Sequence, residues 1–414
     1  MSIRGKQEPS YGFLVFGMVW VVWSLFFVQG GFAQSPYAQG VTLTSSQPTL
    51  LEGFGFAVAS DGDVVLVGAP HASGTRGQTG KAFLFDRETG KILHVFLPSS
   101  PVGDDLFGLS VGLIEQFVVI GAPRGRGLTQ RPAGRVEIFD RQSGKFVQEF
   151  VSPNSTAAVF GHAMAIQGPW IAIGDPGASS PENFEVGEVL VFELATGKLL
   201  HTFLAPEVQQ GKADGFGHAL AFVGASLAIS APMGGVDPID HGKIYLFDLQ
   251  SHELVGTLKS LEPQSNEYFG WSLVSDGEAL LVGALGRGAE AGAVYYYNHS
   301  GEFQKRLESP HPQSGDHFGE AVALLKNHYV VAAPGDDSAG VDSGTVFVFD
   351  KQQGSLQFTL SNPGDATGVA DLFGLSMNGS KEHLFVGAPY GDLANMPDAG
   401  LVYQFSFPSL PPLY

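Results

Sequence analysis

The 414-residue chain contains no cysteine. That excludes disulfide staples, thiol nucleophiles and cysteine-ligated zinc or iron–sulfur centres. Positive charge is scarce as well: 22 Lys and Arg stand against 41 Asp and Glu, a formal net charge of −19. A field of that sign repels phosphate backbones, so nucleic acid is not expected as a partner, whereas cations and cationic surfaces are compatible. Catalytic signatures are missing too. There is no His-Glu-x-x-His and no phosphate-binding loop. The Gly-x-Gly stretches "RGRG" and "GFG" fall in turns between strands, without the strand–helix setting that dinucleotides need.

Long apolar runs are confined to one place. Arg4 and Lys6 precede "YGFLVFGMVWVVWSLFFV" at 11–28, and Gly31 and Ala33 then occupy the −3 and −1 positions of a cut after Ala33. This is the grammar of an export signal over 1–33, cleaved or kept as an anchor, with the remainder exported either way. No second run of that length follows. Glycine, by contrast, is abundant at 56 residues, which points to many turns rather than long helices.

A repeat accounts for those glycines. Phe-Gly occurs at Phe54, Phe107, Phe160, Phe216, Phe269, Phe318 and Phe373. Fourteen positions after each Phe begins a Gly-Ala-Pro or a relative: "GAP" at 68 and 121, "GDP" at 174, "SAP" at 230, "GAL" at 283, "AAP" at 332 and "GAP" at 387. The interval of 14 is constant while successive Phe residues drift between 49 and 56 apart. A third glycine follows in every unit, from Gly80 to Gly400, and opens a β-rich run such as "KAFLFD" or "TVFVFD". Tight turns such as "DRETGK" and "DRQSGK" then lead to a fourth run.

Each unit therefore holds four short antiparallel strands, A to D, and seven such units fit an all-β, seven-bladed β-propeller. The seventh unit stops after its third strand, and a spare strand, "GVTLT" at 40–44, precedes the first Phe-Gly. The two are expected to pair and close the ring. The predicted organisation is a signal over 1–33, a linker over 34–39, the propeller over 40–406 and a tail over 407–414.

Phe-Gly, 14 residues, Gly-Ala-Pro and a following Gly-x-Ø-x-Ø-Phe resemble the FG-GAP repeat family, found in integrin α-subunits and many exported bacterial proteins. The resemblance implies a seven-bladed propeller with an extracellular binding or adhesion role. Integrin-type copies carry a calcium loop in some A–B turns. Here those turns are too short for it: "SDGD" at 60, "SDGE" at 275, "QGPW" at 167 and "LKNH" at 325. No cofactor is predicted. Acidity is compatible with calcium, but that loop is absent.

Three sets of residues are candidates for contact with a ligand. The B–C loops differ in charge, with Arg124, Arg126 and Arg131 in blade 2, Asp237 and Asp240 in blade 4, and Asp336, Asp337 and Asp342 in blade 6. The residue two before the Phe is acidic at Glu52, Asp105, Asp214, Glu267, Asp316 and Asp371, with Ala158 the exception. These carboxylates are expected to accept N–H bonds in their D–A turns. Alternatively, Asp105, Asp214, Asp316 and Asp371 form part of a cation-attracting ring. The residue two after the Phe varies most, and His162, His218, Trp271 and Glu320 fall there on four successive blades, as a pocket for a sugar or metal or as channel filling. The leading expectation is an exported, non-catalytic module that recognises a protein or glycan through its B–C and D–A loop face. An extracellular hydrolase or lyase acting on polysaccharide, or a purely structural surface protein, are the alternatives.

Overall fold

The computed structural model describes residues 37–407 except 75–76, 126–132, 154–158, 180–185, 208–212, 236–238, 365–369, 381 and 394–395. The segment read as an export signal and the residues after Phe407 lie outside the described residues. Among those described, no helix is long and apolar enough to cross a membrane.

Seven four-stranded antiparallel sheets follow one another along the chain. Blade 1 runs A (Ala57–Asp61), B (Val64–Ala69), C (Lys81–Asp86) and D (Ile92–Phe96). Strands A of neighbouring blades touch all the way round, blade 7 to blade 1 included, so the sheets form a closed ring with A innermost. The last blade takes A (Ser376–Ser380), B (His383–Ala388) and C (Leu401–Ser406) from the C-terminal end. Its fourth strand is Ala38–Leu43, antiparallel to Leu401–Ser406 with Thr42 opposite Tyr403.

This closing strand begins inside the segment read as a linker, and Phe407 belongs to the ring rather than to a tail. The reason is an aromatic clasp. The Tyr37 ring stacks on Phe358 at 5.5 Å and meets Phe405 edge-on at 5.7 Å, while Phe407 stacks on Phe358 at 5.8 Å. Such pairs contribute about 0.5–1.5 kcal/mol each beyond their buried area.

The repeated residues are the joints between blades. All seven motif phenylalanines are wholly buried, at 0% exposure. The third glycine of each blade lies against the backbone of the next blade's Phe. A Cβ on Gly134 would sit 2.1 Å from the Phe160 carbonyl oxygen, and one on Gly400 would sit 2.1 Å from that of Phe54. Both glycines also hold positive φ, 81° and 93°, which disfavours any side chain. The first glycine of Gly-Ala-Pro meets the Phe-Gly glycine of the next blade just as closely: 1.9 Å would separate a Gly68 Cβ from the Gly108 oxygen.

Small residues three after the Phe join in the same joint. The hydroxyls of Ser110, Ser272 and Ser376 donate to the carbonyls of Gly161, Gly319 and Gly55 at 2.6, 2.8 and 2.7 Å, each on the following blade. C–D turns close as their residues suggest: Asp86 Oδ1 accepts the Thr89 N–H at 2.8 Å, and Gly90 has φ 66°. On that turn face, Arg141 of blade 2 reaches back to Asp61 of blade 1 at 2.7 Å.

Candidate binding site at the channel mouth

Strand order places the A–B and C–D hairpins on one face and the longer B–C and D–A connections on the other. On this loop face the residues two after each Phe lie at the start of strand A, where the blades converge. All seven of them (Phe56, Leu109, His162, His218, Trp271, Glu320 and Leu375) are half-buried, unlike the sealed phenylalanines two positions earlier.

Four of them form a continuous chain across blades 3 to 6. The His162 and His218 rings are 4.9 Å apart, His218 and Trp271 are 4.5 Å apart, and Trp271 Nε1 donates to Glu320 Oε1 at 3.0 Å. Tyr268 flanks the indole at 6.1 Å. The remaining three complete the rim as an apolar arc on blades 7, 1 and 2, with His71 edge-on to Phe56 at 6.3 Å. A polar, aromatic arc thus faces an aliphatic one.

Burial governs the charges in this mouth. It pushes His218 down to about 3, with the neighbouring His162 adding to the effect, and it lowers His162 as well. Both imidazoles are therefore neutral near pH 7, and His218 Nδ1 is buried without a hydrogen-bond partner. Burial raises Glu320, and the bond from Trp271 opposes that rise. The arc lines the mouth with two imidazoles, an indole and a carboxyl. At the opposite, turn-face end of the A strands a cavity of about 770 Å³ is lined by Gln167, Asp276, Glu278 and Asn378 among others.

The acidic positions two before each Phe are not an open ring. Glu52, Asp105, Asp214, Glu267, Asp316 and Asp371 are all buried, between 0% and 5% exposed. Turn N–H groups three residues earlier bond four of them: Thr49 to Glu52 at 3.2 Å, Val102 to Asp105 at 2.7 Å, Gln264 to Glu267 at 2.9 Å and Gln313 to Asp316 at 2.7 Å. Asp371 accepts from the Asn362 side chain at 2.6 Å. Of the four proposed for a cation-attracting ring, Asp105 and Asp316 accept turn N–H bonds, Asp371 accepts a side-chain amide, and Asp214 is buried with them. Two of the six acids carry internal cations besides, since Arg135 bonds Asp105 at 3.1 Å and Arg287 bonds Glu267 at 2.9 Å. Among the described residues, no three His, Asp or Glu side chains converge as a metal site.

The B–C loops divide similarly. Arg124 and Asp337 are exposed on the loop face, and Asp240 and Asp342 are half-buried. Asp336 is not a surface contact. It is 3% exposed and accepts the Ser338 N–H at 3.0 Å and the Thr345 hydroxyl at 2.9 Å, holding its own loop together. Asp337 likewise accepts the Asp342 N–H at 2.8 Å. Arg126, Arg131 and Asp237 lie outside the described residues.

The FG-GAP repeat model matches residues 37–85 and 302–349. Each match starts at the outer strand of one blade and ends at strand C of the next, as 37–85 does across the ring closure. Seven four-stranded blades are joined at the same glycines. The chain is a seven-bladed β-propeller in which the FG-GAP repeat is matched at two sites. No curated relative matches it. Among the described residues of this propeller, the A–B turns that carry calcium in integrin-type copies are hairpins of two or three residues, such as Gly62 and Asp63 between strands A and B of blade 1. What reading the sequence missed is Asp175 of the "GDP" unit, buried at 0% exposure beside Glu188. The signal was present: blade 3 alone has an acid in that tripeptide and alone lacks one before its Phe.

Proposed function

We propose that this propeller is an exported, non-catalytic binding module that takes a protein or glycan at the loop-face mouth of its channel. One observation carries the reading. At a single register, two residues beyond an invariant buried Phe, four successive blades project His162, His218, Trp271 and Glu320 into mutual contact with nitrogen left unpaired. Scaffold positions are uniform around the ring, and this one is not. Aromatic and convergent polar groups in a concave, partly apolar mouth are the ordinary make-up of a ligand site. The rigid ring presents them without an ordering cost. Export is supported by the N-terminal signal pattern and by the family resemblance.

The test is a binding screen of the purified propeller against immobilised glycans and exported proteins, with reducing-end release measured in parallel. Retention without turnover, lost in Trp271→Ala and weakened in Glu320→Gln, is the expected result. Turnover of a polysaccharide would make it a hydrolase or lyase instead. Retention unaffected by Trp271→Ala would move the site away from the mouth.

A further inference from the structure

Strand D of each blade pairs only with strand C, so its other edge is open around the circumference of the ring. In blades 1 to 6 the C–D ladder slips at the same place, leaving the second residue of strand D as an unpaired bulge. A bulge bends its strand and re-aims that side chain. The bulged residues are Leu93, Val147, Leu200 and Val255 in blades 1 to 4, but Gln304 and Gln357 in blades 5 and 6. The four aliphatic ones are 44%, 47%, 40% and 59% exposed. Single surface aliphatics are ordinary. A row of them at one register on four adjoining blades, replaced by glutamine on the next two, marks a contact surface.

Blade 2 indicates what covers it. Its strand D is Phe146–Val151, and Phe146 is 45% exposed beside Val147. Lys145 and Glu149 stand on either side of these two residues. Both are exposed, and neither makes an ion pair among the described residues. A second copy laid antiparallel along this edge, with the two-fold on Val147, sets Lys145 of each chain opposite Glu149 of the other. The two Val147 side chains then meet at the centre. Opposite charges facing across an antiparallel pair stabilise it, and an open edge supplies main-chain N–H and C=O groups for a further ladder. The adjoining blades lack this self-complementarity. Blade 3 has Lys198 but no acid within Leu199–Leu204. Blade 4 has Glu253 and Lys259, but their two-fold falls on Gly256, which brings no side chain to the centre.

We propose that the outer edge of blade 2 joins two copies of this chain into a two-fold dimer. Leu93 and Leu200 flank the contact on the neighbouring blades. The surface lies on the circumference of the ring, apart from the channel mouth, so dimerisation leaves that mouth open.

The test is sedimentation equilibrium of the chain from Gln34 onward, which keeps the compact unit Tyr37–Tyr414 and leaves out the apolar run at 11–28. One edge strand makes a small interface, so a monomer–dimer equilibrium with a Kd on the order of micromolar is expected. Val147→Gln, which installs the residue of blades 5 and 6, should raise that Kd about tenfold or more. Lys145→Glu places like charges opposite one another at both ends of the contact and should raise it about tenfold as well. Adding Glu149→Lys to Lys145→Glu exchanges the two charges and should restore the Kd of the parent. All three positions are exposed, so the ring itself is expected to fold in every variant. A parent that stays monomeric at high micromolar concentration would overturn the proposal, and flotation of that monomer with phosphatidylserine vesicles would assign the row to a lipid surface instead. A dimer that ignores Lys145→Glu, or that the charge exchange fails to restore, would equally overturn it.

Discussion

Phe160 and His162 are two residues apart and behave as opposites. The first has an identical counterpart in every blade and is completely buried; the second has a different neighbour on nearly every blade and is half open to the channel. Phe160 and its partner Gly134 form a joint in which backbone meets backbone, so nothing larger than hydrogen fits at the glycine. His162 faces a space whose contents the fold leaves open. Invariance around the ring therefore marks contact between blades, and variation at one fixed register marks a surface the scaffold does not need.

The widest separation between the two classes is expected from the joints. Gly134→Ala puts a methyl group 2.1 Å from a carbonyl oxygen at φ 81°, and Phe160→Ala empties a sealed site. Phe160→Ala should cost about 3–5 kcal/mol in denaturant unfolding, and Gly134→Ala at least as much. A loss under about 1 kcal/mol for both would erase the distinction. Next comes Arg135→Met, which strands Asp105 and Glu137 without their cation and should cost a comparable few kcal/mol, about 3–5. Adding Asp105→Asn and Glu137→Gln to that variant should recover most of the loss. Failure to recover would mean that Arg135 acts through packing instead.

Smaller effects follow from pH, and they have opposite signs in neighbouring blades. His218 titrates near 6.5 when unfolded and at about 3 when folded, so it contributes stability above pH 6.5 that is lost as pH falls towards 3. Asp175 is raised from 3.8 to about 7, so its contribution is full below pH 3.8 and is lost as pH rises through 7. The fall in unfolding midpoint between pH 6.5 and 4 should be shallower in His218→Leu and steeper in Asp175→Asn than in the parent. Identical slopes in all three would show that neither group is perturbed by burial.

The smallest change expected is a gain. His252 occupies the left-handed turn position, φ 60°, that Gly90, Gly144 and Gly197 fill in blades 1 to 3. It stacks on His201 at 4.0 Å. His252→Gly relieves that backbone and should stabilise by a few tenths up to about 1 kcal/mol, read as a higher denaturant midpoint. A lower midpoint would show that the imidazole stack outweighs the strain.

How far the sequence discloses all this depends on whether a residue's partner is fixed by register. The Phe-Gly, the fourteen-residue interval and the third glycine are periodic, so the blades, their strands and the closing strand could be read from spacing. Their partners could not: that Gly400 abuts Phe54 requires the ring to be closed first. The mouth was legible as a set, because His162, His218, Trp271 and Glu320 share one position in the repeat. Their chain of ring contacts was not, since it depends on the tilt of each blade. Asp336 misled because acidity in a loop reads as surface, whereas its neighbours Ser338 and Thr345 turn it inward. Asp175 and Glu188 were visible only as exceptions to a pattern, and exceptions acquire meaning once the residues they displace are seen to pair.

The separation of scaffold from site can be tested in one variant. His162→Leu, His218→Leu, Trp271→Leu and Glu320→Leu together would give blades 3 to 6 the residue that Leu109 and Leu375 already place at this register in blades 2 and 7. Its unfolding midpoint should equal or exceed that of the parent, because half-buried polar groups give way to apolar ones that the ring already accommodates. A chain that no longer folds cooperatively would show that these four residues hold the propeller together, and the channel mouth would cease to be a site.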